Sequence, residues 1–322
     1  MKYAILFFCL IRQACFAELM NAQTDSVIVA SDSSMQVQTT FGRLHGSIMR
    51  PKRETSSTAC LIIAGSGPTD RNCNGPSINT NAYLKLATFL AKCGYASLRY
   101  DKRGIGESAE AMIQEDSVTF ENAVEDARSM IHWLKEKAGY DRVVVIGHSE
   151  GSLVGMLAAP GIANAFISVA GPGRPADVIL KEQLNALVPS EGQAEVNRII
   201  DALKAGKHPE QVPFWLMSLA RPSVQNYIIS WFKYDPAIEI KKLNMPICIL
   251  QGGRDLQVTK EDAWLLTSAA NNATFSFIDE MNHVLVDVAD MDVENKKSYG
   301  QPEYPLSPTF LSVISDFLHS LK

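Results

Sequence analysis

Four short, mainly apolar runs, the first two of them unbroken, constrain this chain more than any other feature. They are residues 59–64 (ACLIIA), 143–146 (VVVI), 165–170 (AFISVA) and 247–251 (ICILQ). A strand with one wetted face alternates apolar and polar residues. A continuous run is a strand buried on both faces, as in a parallel sheet covered by helices. Helical patterns fill the intervals. Residues 83–93 stop at Gly94, Phe120, Val124, Ala127, Ile131 and Leu134 recur at helical spacing before Gly139, and Leu153, Met156 and Leu157 follow the second run. Residues 96–100 and 274–278 read as further strands, 261–270 and 309–321 as helices, and 27–29, 35–41 and 44–49 as leading strands with turns. The alternation predicts an α/β fold with a mostly parallel central sheet flanked by helices. It lapses over 174–244, where helical patterns are broken by Pro189, Gly206, Pro209, Pro213 and Pro222, so a helical cap inserted between two strands is expected there.

With 322 residues, 46% of them hydrophobic and 20% charged, the chain suits one or two globular domains. Lys+Arg 30 against Asp+Glu 35 gives a net charge of −5, which offers nucleic acid no basic stripe and points to a small molecule or another protein as partner. The first 17 residues read as a signal peptide: Lys2, an apolar run over 3–11, and small residues Cys15 and Ala17 before a cut ahead of Glu18. The run is shorter than the ~20 residues of a spanning helix, so residues 18–322 are expected to be exported, to the periplasm or beyond, without stable membrane insertion. Cys9 and Cys15 would leave with the leader. Cys60, Cys73, Cys93 and Cys248 lack metal-ligand spacing, so free thiols are expected and neither metal nor cofactor is implied.

The chemistry centres on Gly147-His148-Ser149-Glu150-Gly151, a G-x-S-x-G pattern between a buried strand and a helix. A sharp turn there lifts a serine hydroxyl above the sheet, and flanking glycines admit the backbone crowding this requires. A serine needs a base, and the base needs an acid to hold it. Of six histidines, His45 lies in the leading strands, His132 on a polar helix face, His208 in the insertion and His319 on the last helix. His148 is expected to point away from the nucleophile. His283 follows the last strand by one loop, at the carboxyl edge where open α/β sheets place their sites. Asp255, directly after a buried strand and between serine and histidine in chain order, is the expected acid, with Asp279 its rival. The oxyanion of acyl transfer needs N–H donors, expected from Glu150 and from Ser66 in Gly65-Ser66-Gly67-Pro68. That loop lacks the Lys-Ser/Thr ending of a phosphate loop.

The segments 65–72 (GSGPTDRN), 98–108 (LRYDKRGIGES), 147–151 (GHSEG), 221–225 (RPSVQ), 230–236 (SWFKYDP), 251–258 (QGGRDLQV) and 283–285 (HVL) resemble the α/β-hydrolases, specifically bacterial serine esterases of the serine-aminopeptidase-like group. The resemblance implies the α/β-hydrolase fold, a Ser149–His283–Asp255 triad and hydrolysis of small-molecule carboxylic esters with short to medium acyl chains. Gly253 departs from it, since a hydroxyl residue is expected there. An aminopeptidase or amidase is the alternative, a thioesterase a more remote one. Gripping a free amine would require cap carboxylates, with Glu182, Glu191, Glu195 and Glu210 as candidates. Asp70, Arg71, Asp101 and Arg103 are expected to brace loops. Trp215, Tyr227, Trp231 and Phe232 are cap core or line an acyl pocket.

Overall fold

The structure is a computed structural model that describes residues 30–321 apart from Phe41 and Ile113. The expected leader at 1–17 and strand at 27–29 lie outside the described residues. The chain opens with β1 (Ala30–Thr39), β2 (Gly42–Pro51) and β3 (Thr58–Ile63), then a two-residue ribbon, β4 (Asn74–Gly75) and β5 (Ile78–Asn79). There follow α1 (Ala82–Lys92), β6 (Ala96–Tyr100), α2 (Phe120–Glu136), β7 (Arg142–His148), α3 (Glu150–Ala158) and β8 (Ala165–Val169). Five helices come next: α4 (Ala176–Leu187), α5 (Ser190–Lys204), α6 (Met217–Ala220), α7 (Gln225–Trp231) and α8 (Pro236–Lys241). The chain ends with β9 (Ile247–Gly252), α9 (Lys260–Ala269), β10 (Ala273–Ile278), α10 (Val293–Ser298) and α11 (Pro308–Ser320).

Eight strands form one sheet in the order β1-β2-β6-β3-β7-β8-β9-β10. β2 runs antiparallel to β1 and β6, and every other pairing is parallel. The apolar runs are explained by two cores, one on each face. Leu61, Val143, Val145, Phe166 and Ile249 join one, while Cys60, Ile62, Val144, Ile146, Ile167 and Leu250 join the other. Each strand residue therefore leaves water whichever way it points. A fully buried aliphatic side chain contributes about 1.5–3 kcal/mol, so a polar substitution in β3 or β7 would be severe.

Helices α4 and α5 pack on each other, and α7 packs on α2 and α5. The seam between insertion and body is aromatic: Phe120, the first residue of α2, stacks on Trp231 at 5.9 Å and meets Tyr227 edge-on at 5.8 Å. The Phe120 amide also donates to Ser230 Oγ at 2.7 Å. Helix α8 instead packs with α3 and α9 on the flank of the sheet. Short polar elements escaped the periodicity: β4, β5 and α10 carry too few apolar residues to register. Among the described residues no helix is long and apolar enough to cross a membrane.

Candidate active site

Strand β7 ends at His148, and Ser149 adopts φ 56°, ψ −125° before α3 begins at Glu150. This positive φ on a residue with a side chain is a strained backbone, of order 1–3 kcal/mol, sustained only by its surroundings. The flanking glycines show why. A Cβ on Gly147 would sit 2.3 Å from Gly151 O, and one on Gly151 would sit 2.4 Å from Ile63 O and 2.5 Å from Ala64 O. Both obstacles are backbone, which cannot swing aside.

Asp255 lies in the loop after β9. Its Oδ2 accepts from His283 Nδ1 at 2.8 Å and from Gln251 Nε2 at 3.2 Å, while its Oδ1 accepts the Gln257 and Val258 amides at 2.7 and 2.9 Å. Burial alone would raise the Asp255 pKa, but the adjacent His283 and these donors outweigh it and hold the carboxyl below its usual range. Asp279, the rival, sends its carbonyl toward Gly253 instead. A Cβ at Gly253 would lie 2.3 Å from that oxygen, which accounts for glycine where a hydroxyl residue was expected.

Ser149 and His283 line one pocket of about 180 Å³ together with Gly65, Ser66, Gly67 and Pro68. Among the described residues no hydrogen bond joins the Ser149 hydroxyl to His283, a gap common before substrate binds. The glycine loop runs against the serine: a Cβ on Gly65 would lie 2.9 Å from Ser149 Cβ. Neither the Ser66 amide nor the Glu150 amide donates to another group among the described residues. Two unengaged donors thus flank the hydroxyl, as oxyanion stabilisation requires. Lys102 Nζ donates to Gly65 O and Gly67 O, each at 2.5 Å. In a trans peptide this turns the Ser66 N–H to the opposite side.

A family model described as Hydrolase_4, serine aminopeptidase, S33, matches residues 73–179. Esterase EstD of Thermotoga maritima is 31% identical over 264 residues, covering 80% of this chain and 62% of that protein. The chain therefore spans under two thirds of this curated relative's length. Among solved structures, Est1E from Butyrivibrio proteoclasticus, seen with ferulic acid bound, superposes with a TM-score of 0.61 at 16% identity over 89% of this chain and 98% of its own. The Pyrococcus furiosus esterase Pf2001 gives 0.56 at 16% identity over 90% of each chain. Proline iminopeptidase from Mycobacterium smegmatis gives 0.55 at 15% identity over 90% and 98%. The sheet and its flanking helices have the α/β-hydrolase fold, which these solved structures share.

The protein has a second, larger chamber of about 650 Å³ across the Ser66–Pro68 wall, beneath the inserted helices. Tyr100, Ile105, Met112, Val224, Tyr227 and Trp231 line it. Tyr227 and Trp231 thus face a cavity, whereas Phe232 is buried and Trp215 is about half exposed. Polar groups line it as well: the Tyr227 hydroxyl donates to Glu150 Oε1 at 2.8 Å beside Lys102, and Arg103, Asp126, Glu115 and Arg221 stand elsewhere on its wall. Burial raises the Glu150 pKa, with Lys102 opposing. The four cap carboxylates line neither cavity: Glu182 is taken by Arg174, Glu195 by Arg198, and Glu191 and Glu210 are exposed. Asp101 accepts from the Arg71 and Glu107 amides and pairs with the Arg71 guanidinium, Arg103 pairs with Asp126, and Asp70 caps its own loop. All are braces.

His148 corrects the sequence expectation. Its ring does not point away from the site but lies 4.8 Å from the His283 ring, with Nδ1 2.8 Å from the Tyr83 hydroxyl and Nε2 2.9 Å from His283 O. Burial first, and then the neighbouring His283, lower its pKa to about 3, against the contrary pull of Asp255 and of the His283 carbonyl. The unfolded chain binds a proton there near the ordinary imidazole pKa of about 6.5. The stability this neutral ring contributes is therefore complete above about pH 6.5 and is lost as pH falls toward 3. Urea unfolding should show a loss on the order of a few kcal/mol across that window. The His148→Gln variant should lose less, and an identical pH slope in that variant would count against His148 as the source. Asn282 was also missed. Its side chain accepts the Val284 and Val286 amides and donates to Asn295 and Ser298, bracing the His283 loop from behind.

Proposed function

We propose that the protein hydrolyses carboxylic esters through a covalent acyl-enzyme on Ser149. The observation that carries this reading is the buried Asp255–His283 pair opening into the same pocket as a serine flanked by two unengaged amide N–H groups. His283 Nε2 takes the Ser149 proton as Oγ bonds to the ester carbonyl carbon, and the carbonyl oxygen becomes an oxyanion facing the Ser66 and Glu150 amides. Collapse breaks the bond to the alcohol oxygen, which leaves with the proton from His283. Water then repeats both steps on the acyl-enzyme, releasing the acid and free Ser149. Asp255 keeps the imidazole in the tautomer with Nδ1 protonated and stabilises the cation formed in each half.

The same reading divides the substrate between the two cavities. The leaving oxygen must reach His283, which borders the small pocket and not the large chamber, so the alcohol side occupies the former. The acyl side extends past Glu150 into the apolar chamber. Short to medium acyl chains fit it. The four cap carboxylates stand outside the cavities, and the carboxylates that do line the chamber, Glu115, Asp126 and Glu150, are engaged by Arg221, Arg103 and Tyr227, which favours esters over substrates with a free amine.

The test is a series of aryl esters from acetate to octanoate, run beside amino-acyl arylamides. Burying one methylene releases about 0.8 kcal/mol, so kcat/KM should climb by up to about fourfold per methylene until the chamber is filled. Amino-acyl arylamides turned over faster than every ester would overturn the reading in favour of an aminopeptidase.

A further inference from the structure

We propose that Tyr83 and His148 form a buried hydrogen-bond strap that fixes the oxyanion loop and the His283 loop at one spacing across Ser149. The strap rests on the ester-hydrolase reading above and names two positioning residues that neither the motif nor the triad supplies. It has three links. The Gly65 amide lies 3.2 Å from Tyr83 Oη, Tyr83 Oη lies 2.8 Å from His148 Nδ1, and His148 Nε2 lies 2.9 Å from His283 O. All three are buried.

The proton directions are determined. The His283 carbonyl only accepts, so His148 Nε2 must carry a hydrogen. The ring is neutral, so its Nδ1 is bare and accepts from the Tyr83 hydroxyl. That hydroxyl, its one proton committed, accepts the Gly65 N–H through a lone pair. Every donor meets an acceptor, and no link can reverse without orphaning a buried polar group.

Placement gives the strap its purpose. Gly65 is the residue before the Ser66 amide, and its own carbonyl is held by Lys102 on the other side. The loop is therefore gripped through both its N–H and its C=O. At the far end the strap holds the main chain of the base itself. His148 adjoins the nucleophile, so the middle of the strap is anchored to the serine turn. Tyr83 comes from the first turn of α1 and packs in the core beneath. Three elements remote in sequence, which must agree to a fraction of an ångström for acyl transfer, share one rigid connection.

Tyr83→Phe removes the hydroxyl and keeps the ring. Expected is a fall in kcat of about tenfold to a hundredfold with KM within about twofold, because the loss is one of transition-state geometry. Affinity for an alkyl boronic acid, which forms a tetrahedral adduct on the serine, should fall in parallel, while affinity for the product carboxylate should not move. His148→Gln can present an amide N–H to the His283 carbonyl and should retain more kcat than His148→Leu. This pair keeps the proposal testable should Tyr83→Phe fold poorly. Wild-type kcat and boronate affinity in folded Tyr83→Phe, or equal losses in His148→Gln and His148→Leu, would overturn the strap alone. Failure of a fluorophosphonate to label Ser149 in the wild-type protein would instead overturn the ester-hydrolase reading, and the strap with it.

Discussion

Alanine at Ser149 should reduce kcat for aryl ester hydrolysis by about a millionfold, the loss seen when a triad nucleophile is removed from a serine hydrolase. Only Oγ is lost, and the Cβ that packs against Gly65 stays, so the thermal transition should remain close to that of the parent. A melting curve beside the rate measurement separates lost chemistry from lost fold. Turnover within tenfold of the parent, after exclusion of contaminating esterase by active-site titration, would remove Ser149 as nucleophile.

The second large effect belongs to Asp255→Asn, expected to lower kcat by about ten-thousandfold while KM changes little. The substituted amide can keep its oxygen on the Gln257 and Val258 amides, where Oδ1 sits now, and so preserve the turn. Its NH2 then faces His283 Nδ1, which must become bare to accept, and the ring proton moves to Nε2. An imidazole protonated at Nε2 cannot take the serine proton. Because the loss is one of tautomer, Asp255→Asn should bind an unreactive substrate analogue as tightly as the parent does. A kcat near that of the parent would assign the base's orientation to another group.

The fold was legible because two-sided burial leaves an unambiguous trace in strands such as β3 and β7. Ser149 and Asp255 could be placed from the sequence because each directly follows a buried strand, and His283 because it comes one loop after β10; the structure pairs Asp255 with His283 and sets Ser149 in the same pocket. His148 was misread because its contacts are distant in sequence. Its partners, Tyr83 and the His283 carbonyl, lie 65 and 135 residues away, and no local pattern marks them. What adjacency to Ser149 did carry was the turn itself, with its positive φ at the serine. The role of Lys102 was equally out of reach, because the Gly65 and Gly67 carbonyls that share it lie 37 and 35 residues away. The cap glutamates failed as a group because spacing along a helix does not say which face meets a cavity. Glu182 and Glu195 were instead satisfied by nearby arginines.

Ser66, Gly67 and Pro68 line both cavities, while the lining of the larger one is drawn in good part from the inserted helices. Substitutions at Val224, Tyr227 or Trp231 can therefore reshape one compartment without disturbing the reacting atoms in the other. Selection acting on such a molecule can retune what it accepts at little risk to how fast it reacts, and divergence among its descendants should accumulate first under the insertion.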